Sequence, residues 1–345
     1  MDFAFSEEQE MLRAAAGSWL SDRFPIDRVV QLADGEPGWD PASWAQLVSL
    51  GWLDRDLGLL EQAVLAEQTG YALYPGPWWS TVALAGPVLG VVPERPTTLA
   101  WAEPGAAGDL RSAARPGPAT MADAVGLLTG TKIRVPDLAA CESVLVVAAG
   151  PDGPGCWQVD VATARVVPMS TTDRTRRLAE LHLDGTVGRP VALEHGVDDV
   201  LADVRRRAGA LLACEAVGVA QRCLTLCTAY AKERTQFGRP IGAYQGVSHR
   251  IADIFTALQL ARSLAYRAAA SVNDGTDDAD QAVTVAMISA GDAATLAAEN
   301  AIQAMGGIGF TWDHPLHRFY KRAQWIASFD GTGRSRRAEL AAQLL

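Results

Sequence analysis

Three short segments bring together residue types that could do chemistry. The first is Arg234-Thr-Gln-Phe-Gly-Arg-Pro-Ile241, followed by Tyr244-Gln245, at the junction of two long helical patterns. An arginine beside a glycine turn suits a pyrophosphate, because its guanidinium donates two parallel hydrogen bonds and Gly238 lets the backbone come close. The same residues also read as a helix-terminal cation complementing the helix dipole, with Pro240 as a stop signal. The second segment, Gln303-Ala-Met-Gly-Gly-Ile-Gly-Phe310, puts three glycines at a helix end. Such glycines permit positive φ and close ligand approach, and a plain helix C-cap has the same composition. No strand pattern precedes it, which excludes a Rossmann dinucleotide loop. The third, Phe329-Asp-Gly-Thr332, holds a carboxylate in a glycine turn between two short helical stretches, where an aspartate ordinarily hydrogen-bonds its own backbone.

The elements that must position these segments follow from periodicity. Ser6 with Gln9 three residues on is a capping-box pattern, Phe5 is placed as a hydrophobic staple, and Met11, Leu12, Ala15, Trp19 and Leu20 recur at helical spacing. Further helices are expected over Ala42–Leu50 and Leu59–Tyr71. Trp39, Trp44, Trp52, Trp78 and Trp79 in this region read as core, with an apolar ligand pocket as the alternative. From Thr97 to about Leu193 the runs shorten and favour strands, as in Leu99–Ala102, Val144–Ala148 and Ala179–Leu183. Long helices return over Val200–Ala231, Tyr244–Val272 and Gln281–Met305, with shorter pieces over His314–Phe329 and Arg336–Leu345. In the second long helix Val247, Ile251, Ile254, Phe255, Leu258, Ala261, Leu264 and Ala265 form one wide apolar face suited to a bundle. The fold class is therefore α+β and mainly α, divided into 1–96 (helical), 97–195 (β) and 196–345 (helical bundle).

Composition excludes several functions. A chain of 345 residues with 49% hydrophobic and 20% charged residues is that of a soluble globular protein with two or three packed units. A formal net charge of −10 repels nucleic acid on average, and the basic runs Arg205–Arg207 and Arg334–Arg337 are short. The opening MDFAFSEEQEML lacks the pattern of a secretory signal or lipidation site, and apolar stretches are interrupted short of the ~18 residues of a membrane span. A cytoplasmic protein without membrane partners is expected. The five cysteines form no Cys-x-x-Cys pair, and Cys223 and Cys227, four apart on a helix, read as buried core thiols.

Taken together with the Phe5-Ser-Glu-Glu-Gln9 opening and Ala102-Glu-Pro-Gly-Ala-Ala-Gly-Asp109, the three segments resemble the acyl-CoA dehydrogenase family along essentially the whole chain and in the same order. The resemblance implies an N-terminal helical domain, a middle β-barrel domain and a C-terminal four-helix bundle around FAD and an acyl-CoA thioester. It implies α,β-dehydrogenation, in which a carboxylate removes the α-proton and the β-hydrogen leaves as hydride, with electron-transfer flavoprotein or a similar acceptor taking the electrons. Arg234, Gln236 and Phe237 match the segment that reaches a neighbouring subunit's FAD diphosphate. Gln303, Gly306 and Gly307 match the segment beside the adenosine end.

Elsewhere the chain departs from the family. The hydroxyl residue before Glu-Pro-Gly is Ala102, and the Trp-Ile-Thr or Trp-Ile-Ser after Gly-x-Lys is Arg134-Val135-Pro136, so the expected hydrogen bonds to the flavin ring are lost. The catalytic glutamate before Gly-Thr is Asp330, one methylene shorter, which is either a weakened base or a remnant. The alternative base position falls near Arg207 and Ala208, with no carboxylate there. These departures resemble the degenerate subunit of heteromeric acyl-CoA dehydrogenases from actinobacterial sterol side-chain degradation, with a homologous partner in an α2β2 heterotetramer. A self-sufficient homo-oligomeric dehydrogenase using Asp330, and a non-catalytic acyl-binding scaffold, are the other readings.

Overall fold

The computed structural model describes residues 5–105, 109–110 and 119–345. Residues 106–108 of the Ala102–Asp109 segment lie outside the described residues. The chain divides into two compact units, one of Met1–Gln31, Gly58–Tyr74 and Gly209–Leu345, the other of Leu32–Leu57 and Pro75–Ala208. The first helices are α1 (Glu7–Arg23), α2 (Ile26–Asp34), α3 (Pro41–Ser49), α4 (Leu59–Ala72) and the short α5 (Gly86–Leu89). Strands β1 (Thr97–Ala100), β2 (Met121–Ala122), β3 (Leu127–Pro136), β4 (Ser143–Gly150), β5 (Gly153–Asp160), β6 (Arg165–Pro168) and β7 (Leu178–Pro190) follow. Then come α6 (Val197–Glu233), a hairpin of β8 (Thr235–Gln236) and β9 (Arg239–Pro240), α7 (Gln245–Asn273), α8 (Ala279–Met305), α9 (Leu316–Ser328) and α10 (Gly333–Leu344).

In the helical unit, α1 starts where its capping residues dictate. The Ser6 hydroxyl accepts from the Gln9 amide at 3.2 Å and the Gln9 side chain accepts from the Ser6 amide at 3.1 Å, satisfying two donors the helix cannot. Phe5 does not act as a staple, because the position it would pack on is Glu10. Instead its ring meets Tyr266 edge-on at 4.8 Å. Two glycines bring α4 and α6 into backbone contact: a Cβ on Gly70 would lie 2.0 Å from the Glu215 carbonyl, and one on Gly218 would lie 1.9 Å from the Glu67 carbonyl. That approach buries two carboxylates, and both are partnered. Glu67 accepts from Arg262 at 3.0 Å and from Tyr266 at 2.9 Å, while Glu215 pairs with Arg322 of α9, both side chains 1% exposed.

α7 packs on α8 and α8 on α9, and α6 joins them through Glu215 to Arg322 of α9 and Gln221 to Arg262 of α7. Ala261, Ala265, Ala268 and Ala269 of α7 and a run of buried alanines on α8, among them Ala290, Ala294, Ala297 and Ala301, allow close approach of the two helices. The apolar face expected on α7 splits along its length. Ile254, Leu258, Ala261 and Ala265 are buried, whereas Phe255 stays 54% exposed. Two helical stretches, Val197–Glu233 and Ala279–Phe310, are long and apolar enough to match a membrane span, against the expectation of shorter runs. Their apolar windows are 72% and 61% buried in the protein, as core helices are. Cys223 and Cys227 are buried, and burial pushes the Cys227 thiol up to about 11, so the pair are core thiols.

In the other unit, the path β4-β2-β3-β7-β5 closes because β5 also pairs with β4. β1 adds to β4 in parallel and β6 adds to β7 antiparallel, so the expected β-barrel is present. Leu128, Val135, Val144, Val146, Trp157, Leu181 and Leu183 fill its interior. The five tryptophans are core, each 9% exposed or less. The Trp78 indole donates to the Trp52 carbonyl at 3.2 Å, and Trp44 donates to the Glu94 carbonyl at 2.6 Å. Burial with the N–H satisfied is the ordinary way a large aromatic enters a core, and Trp44 and Trp78 follow it.

Candidate functional site

α6 ends at Glu233 and the next seven residues fold back on themselves. The Arg234 amide donates to the Tyr230 carbonyl at 2.9 Å, closing the helix, and the Arg234 carbonyl accepts from Ile241 at 2.8 Å, closing the hairpin. Between β8 and β9, Phe237 (φ 51°) and Gly238 (φ 81°) both take left-handed conformations, the requirement of a two-residue turn whose twist suits a hairpin. Tyr244, one residue before α7, locks this geometry. Its hydroxyl donates to the Gln236 carbonyl at 3.0 Å, its ring meets Phe237 at 6.4 Å, and the Arg239 guanidinium lies 4.1 Å above its face. Arg234, Gln236, Phe237 and Arg239 are exposed, Phe237 at 93%.

The glycine segment sits at the same end of the bundle. Arg250, in the second turn of α7, donates to Asn300 near the end of α8 at 2.8 Å, which places the hairpin and the end of α8 together. There Gln303 and Gly307 are exposed. Gly306 has φ 61° and ψ −137°, a region in which a side chain is strained. A Cβ on Gly306 or Gly307 would meet nothing within 4 Å in this chain. The glycines therefore leave an open, sterically bare surface. The hairpin and the glycine segment lie toward the same end of α7 and α8, which the Arg250–Asn300 bond joins.

Asp330 lies in the loop between α9 and α10, half-buried and at φ 51°, with Gly331 at φ 112° after it. Thr332 then caps α10, its hydroxyl accepting from the Ser335 amide at 3.2 Å. Buried Arg336 reaches back to the carbonyls of Ala327, at 2.9 Å, and Phe329, so the turn is held by the chain around Asp330. Arg207 pairs with Asp203 at 3.0 Å and Ala208 is fully buried, leaving no carboxylate at the alternative base position.

In the barrel unit, Ala102 is 4% exposed and its carbonyl accepts from Ile133 at 2.9 Å. Pro136 is buried, and its carbonyl accepts from the Thr98 hydroxyl at 2.8 Å. Neither offers a side-chain hydrogen-bond donor, and Pro136 has no backbone N–H either. Their sequence neighbours are joined by a pair that motif reading did not single out. Lys132, fully buried, reaches Glu103 at 2.6 Å, and Glu103 also accepts from the amides of Ala119 at 2.6 Å and Thr120 at 2.9 Å. Burial raises the Glu103 pKa, but the bonds from Lys132, Thr120 and Ala119 outweigh it and hold the carboxyl below its ordinary value. Arg239 and Tyr244 stand in the first segment and Arg336 in a basic run, but the sequence assigned them no role. Each acts by reaching a residue five to nine positions away, which no local period encodes.

A helical unit, a closed β-barrel and this arrangement of segments define an acyl-CoA dehydrogenase architecture. Residues 196–345 match the family model "Acyl-CoA dehydrogenase, C-terminal domain". The chain is 31% identical to acyl-CoA dehydrogenase IpdE2 of Mycolicibacterium smegmatis, over 98% of this chain and 99% of that protein. It belongs to the acyl-CoA dehydrogenase family. Among solved structures it is similar to a chain of the Tcur3481-Tcur3483 steroid ACAD, with TM-score 0.84, 29% identity and 98% of both chains covered. It is also similar to a chain of the ChsE4-ChsE5 complex from Mycobacterium tuberculosis, with TM-score 0.86, 25% identity and 100% and 99% covered.

The family implies FAD. Against that cofactor the two units differ, each taken by itself. The exposed arginine, hairpin and bare glycines of one suit an adenosine diphosphate, whereas Ala102 and Pro136 of the other have no side-chain donor for a flavin ring.

Proposed function

We propose that this chain is one subunit of a heteromeric, FAD-dependent acyl-CoA dehydrogenase, and that it contributes a clamp to FAD whose ring is held by a homologous partner. The carrying observation is the contrast just described: an exposed arm at one end of the bundle, and Ala102 and Pro136, without side-chain donors, where the family resemblance places the ring contacts. Bound FAD would supply the hydride chemistry. This chain's residues bind and orient. The Arg234 guanidinium donates charge-assisted hydrogen bonds to the diphosphate, Gln236 and Phe237 extend the contact, and Gln303, Gly306 and Gly307 lie against the adenosine end. Asp330 moves no proton in this reading, because the base belongs beside the ring, in the partner. The likeness to chains of the steroid ACAD and of the ChsE4-ChsE5 complex supports a steroid CoA ester as substrate and a heteromeric assembly; the proposal adds an α2β2 heterotetramer, the cytoplasm, and electron-transfer flavoprotein or a similar acceptor.

The test is to purify the chain alone and co-expressed with a homologous acyl-CoA dehydrogenase subunit, then measure mass in solution and flavin per protein. The expected result is a colourless chain alone and a yellow heterotetramer that oxidises acyl-CoA. A yellow, acyl-CoA-reducible protein from the chain alone would establish the self-sufficient reading, and no flavin in any combination would establish the scaffold.

A further inference from the structure

Away from the proposed clamp, the helical unit has a partly open cavity of ≈ 300 Å³ between α1, the start of α2, α4, α6 and α9. Its apolar wall is made by Leu20, Phe24, Ile26 and Phe319; the first two and Phe319 are 2% exposed or less, so the wall is held by the surrounding core. Its polar side is Arg222, Tyr71 and Gln68. The Arg222 guanidinium stacks on the Tyr71 ring at 5.0 Å and donates through Nη1 to the Tyr71 hydroxyl at 3.2 Å, which fixes its plane and leaves its other donors for a ligand. Gln68 is half-buried, and its amide has no hydrogen-bond partner among the described residues. Helix α1 keeps a glycine opposite that amide, since a Cβ on Gly17 would stand 3.1 Å from the Gln68 Oε1.

We infer that this cavity is a binding site for a medium-chain carboxylate. An apolar wall with a single oriented guanidinium and an adjacent free amide recognises a molecule with one anionic head and a hydrocarbon body, the usual division of a small-molecule pocket. A volume of ≈ 300 Å³ is ample for a short hydrocarbon chain with one anionic head, and octanoate is the probe. The guanidinium fork takes the carboxylate, the Gln68 amide donates to it, and the chain lies along Leu20, Phe24 and Phe319. None of these residues belongs to the proposed FAD clamp, so the inference stands whether or not that reading does.

The test is calorimetric titration of the full chain with octanoate and with octanol, in wild type, Arg222→Gln, Arg222→Lys and Ala72→Leu, each first checked for an unchanged melting temperature. Wild type should bind octanoate saturably at one site with Kd below about 1 mM, and octanol at least about tenfold more weakly. Arg222→Gln should lose about tenfold for octanoate and nothing for octanol, Arg222→Lys should lose less, and Ala72→Leu, which fills the cavity without touching the charge, should lose both ligands. If Arg222→Gln does not fold, the octanol comparison and Ala72→Leu decide. Absence of saturable octanoate binding, equal affinity for octanol, or full affinity in Ala72→Leu would each overturn the assignment.

Discussion

At the scale of single residues, two carboxylates carry opposite expectations. Asp330 stands in a turn that Arg336 and Thr332 also fasten. Asparagine also tolerates the left-handed conformation seen at φ 51°. With no ring donors at Ala102 and Pro136, Asp330→Asn should leave turnover of the assembled complex within about threefold of wild type, where loss of a true general base typically costs 10²–10⁴-fold. Acyl-CoA oxidation with an artificial acceptor measures it, and a drop above about a hundredfold would make Asp330 the base. Glu103 is the reverse case. It holds buried Lys132 and two backbone amides, and Glu103→Gln should lower stability at pH 7 by about 3–5 kcal/mol because an ammonium is left buried without its counter-charge. A carboxyl whose folded pKa lies below its unfolded value contributes stability above the unfolded value and loses it as pH falls through the folded one. Denaturant melts of wild type should therefore weaken below about pH 4, and those of Glu103→Gln should depend less on pH there. Equal acid sensitivity in both would remove Glu103 from that account.

At the scale of elements, the hairpin and the end of α8 show what a sequence can and cannot reveal. Helix positions were legible because caps and periods are local. The expected Leu59–Tyr71 is Leu59–Ala72, and the capping box at Ser6 forms. The hairpin was not expected, since it is two residues per strand and is fixed by Tyr244 from beyond the turn. Gly70 and Gly218 were equally silent, because their reason lies in a neighbouring helix rather than in their own backbone. The same distinction separates the two glycines of the clamp. Gly306 is required by its backbone, whereas Gly307 has an ordinary φ and space around it. Gly307→Ala should leave the melting temperature of the chain unchanged, to within about 0.5 kcal/mol, and reduce flavin retained by the assembled complex. Full flavin content in Gly307→Ala would move the adenosine contact elsewhere.

At the scale of the whole molecule, the barrel and bundle are built as in a complete acyl-CoA dehydrogenase, while the residues that would face a flavin ring are not. The fold has kept what packing demands, including the buried Lys132–Glu103 and Arg322–Glu215 pairs, whose loss leaves an uncompensated charge. Exposed residues are free of that constraint. An arm made of Arg234, Gln236 and Phe237, held in shape although nearly all of it faces outward, is explained by what it reaches. The most direct measurement is flavin content of the co-expressed complex carrying Arg234→Ala or Arg234→Lys. A guanidinium on a diphosphate makes charge-assisted, bidentate bonds, and lysine keeps the charge without the fork. Arg234→Ala should therefore lose most of the bound FAD on dialysis while Arg234→Lys loses less, with assembly unchanged in both. Equal flavin in wild type and both variants would contradict the clamp, and with it the role assigned to this chain.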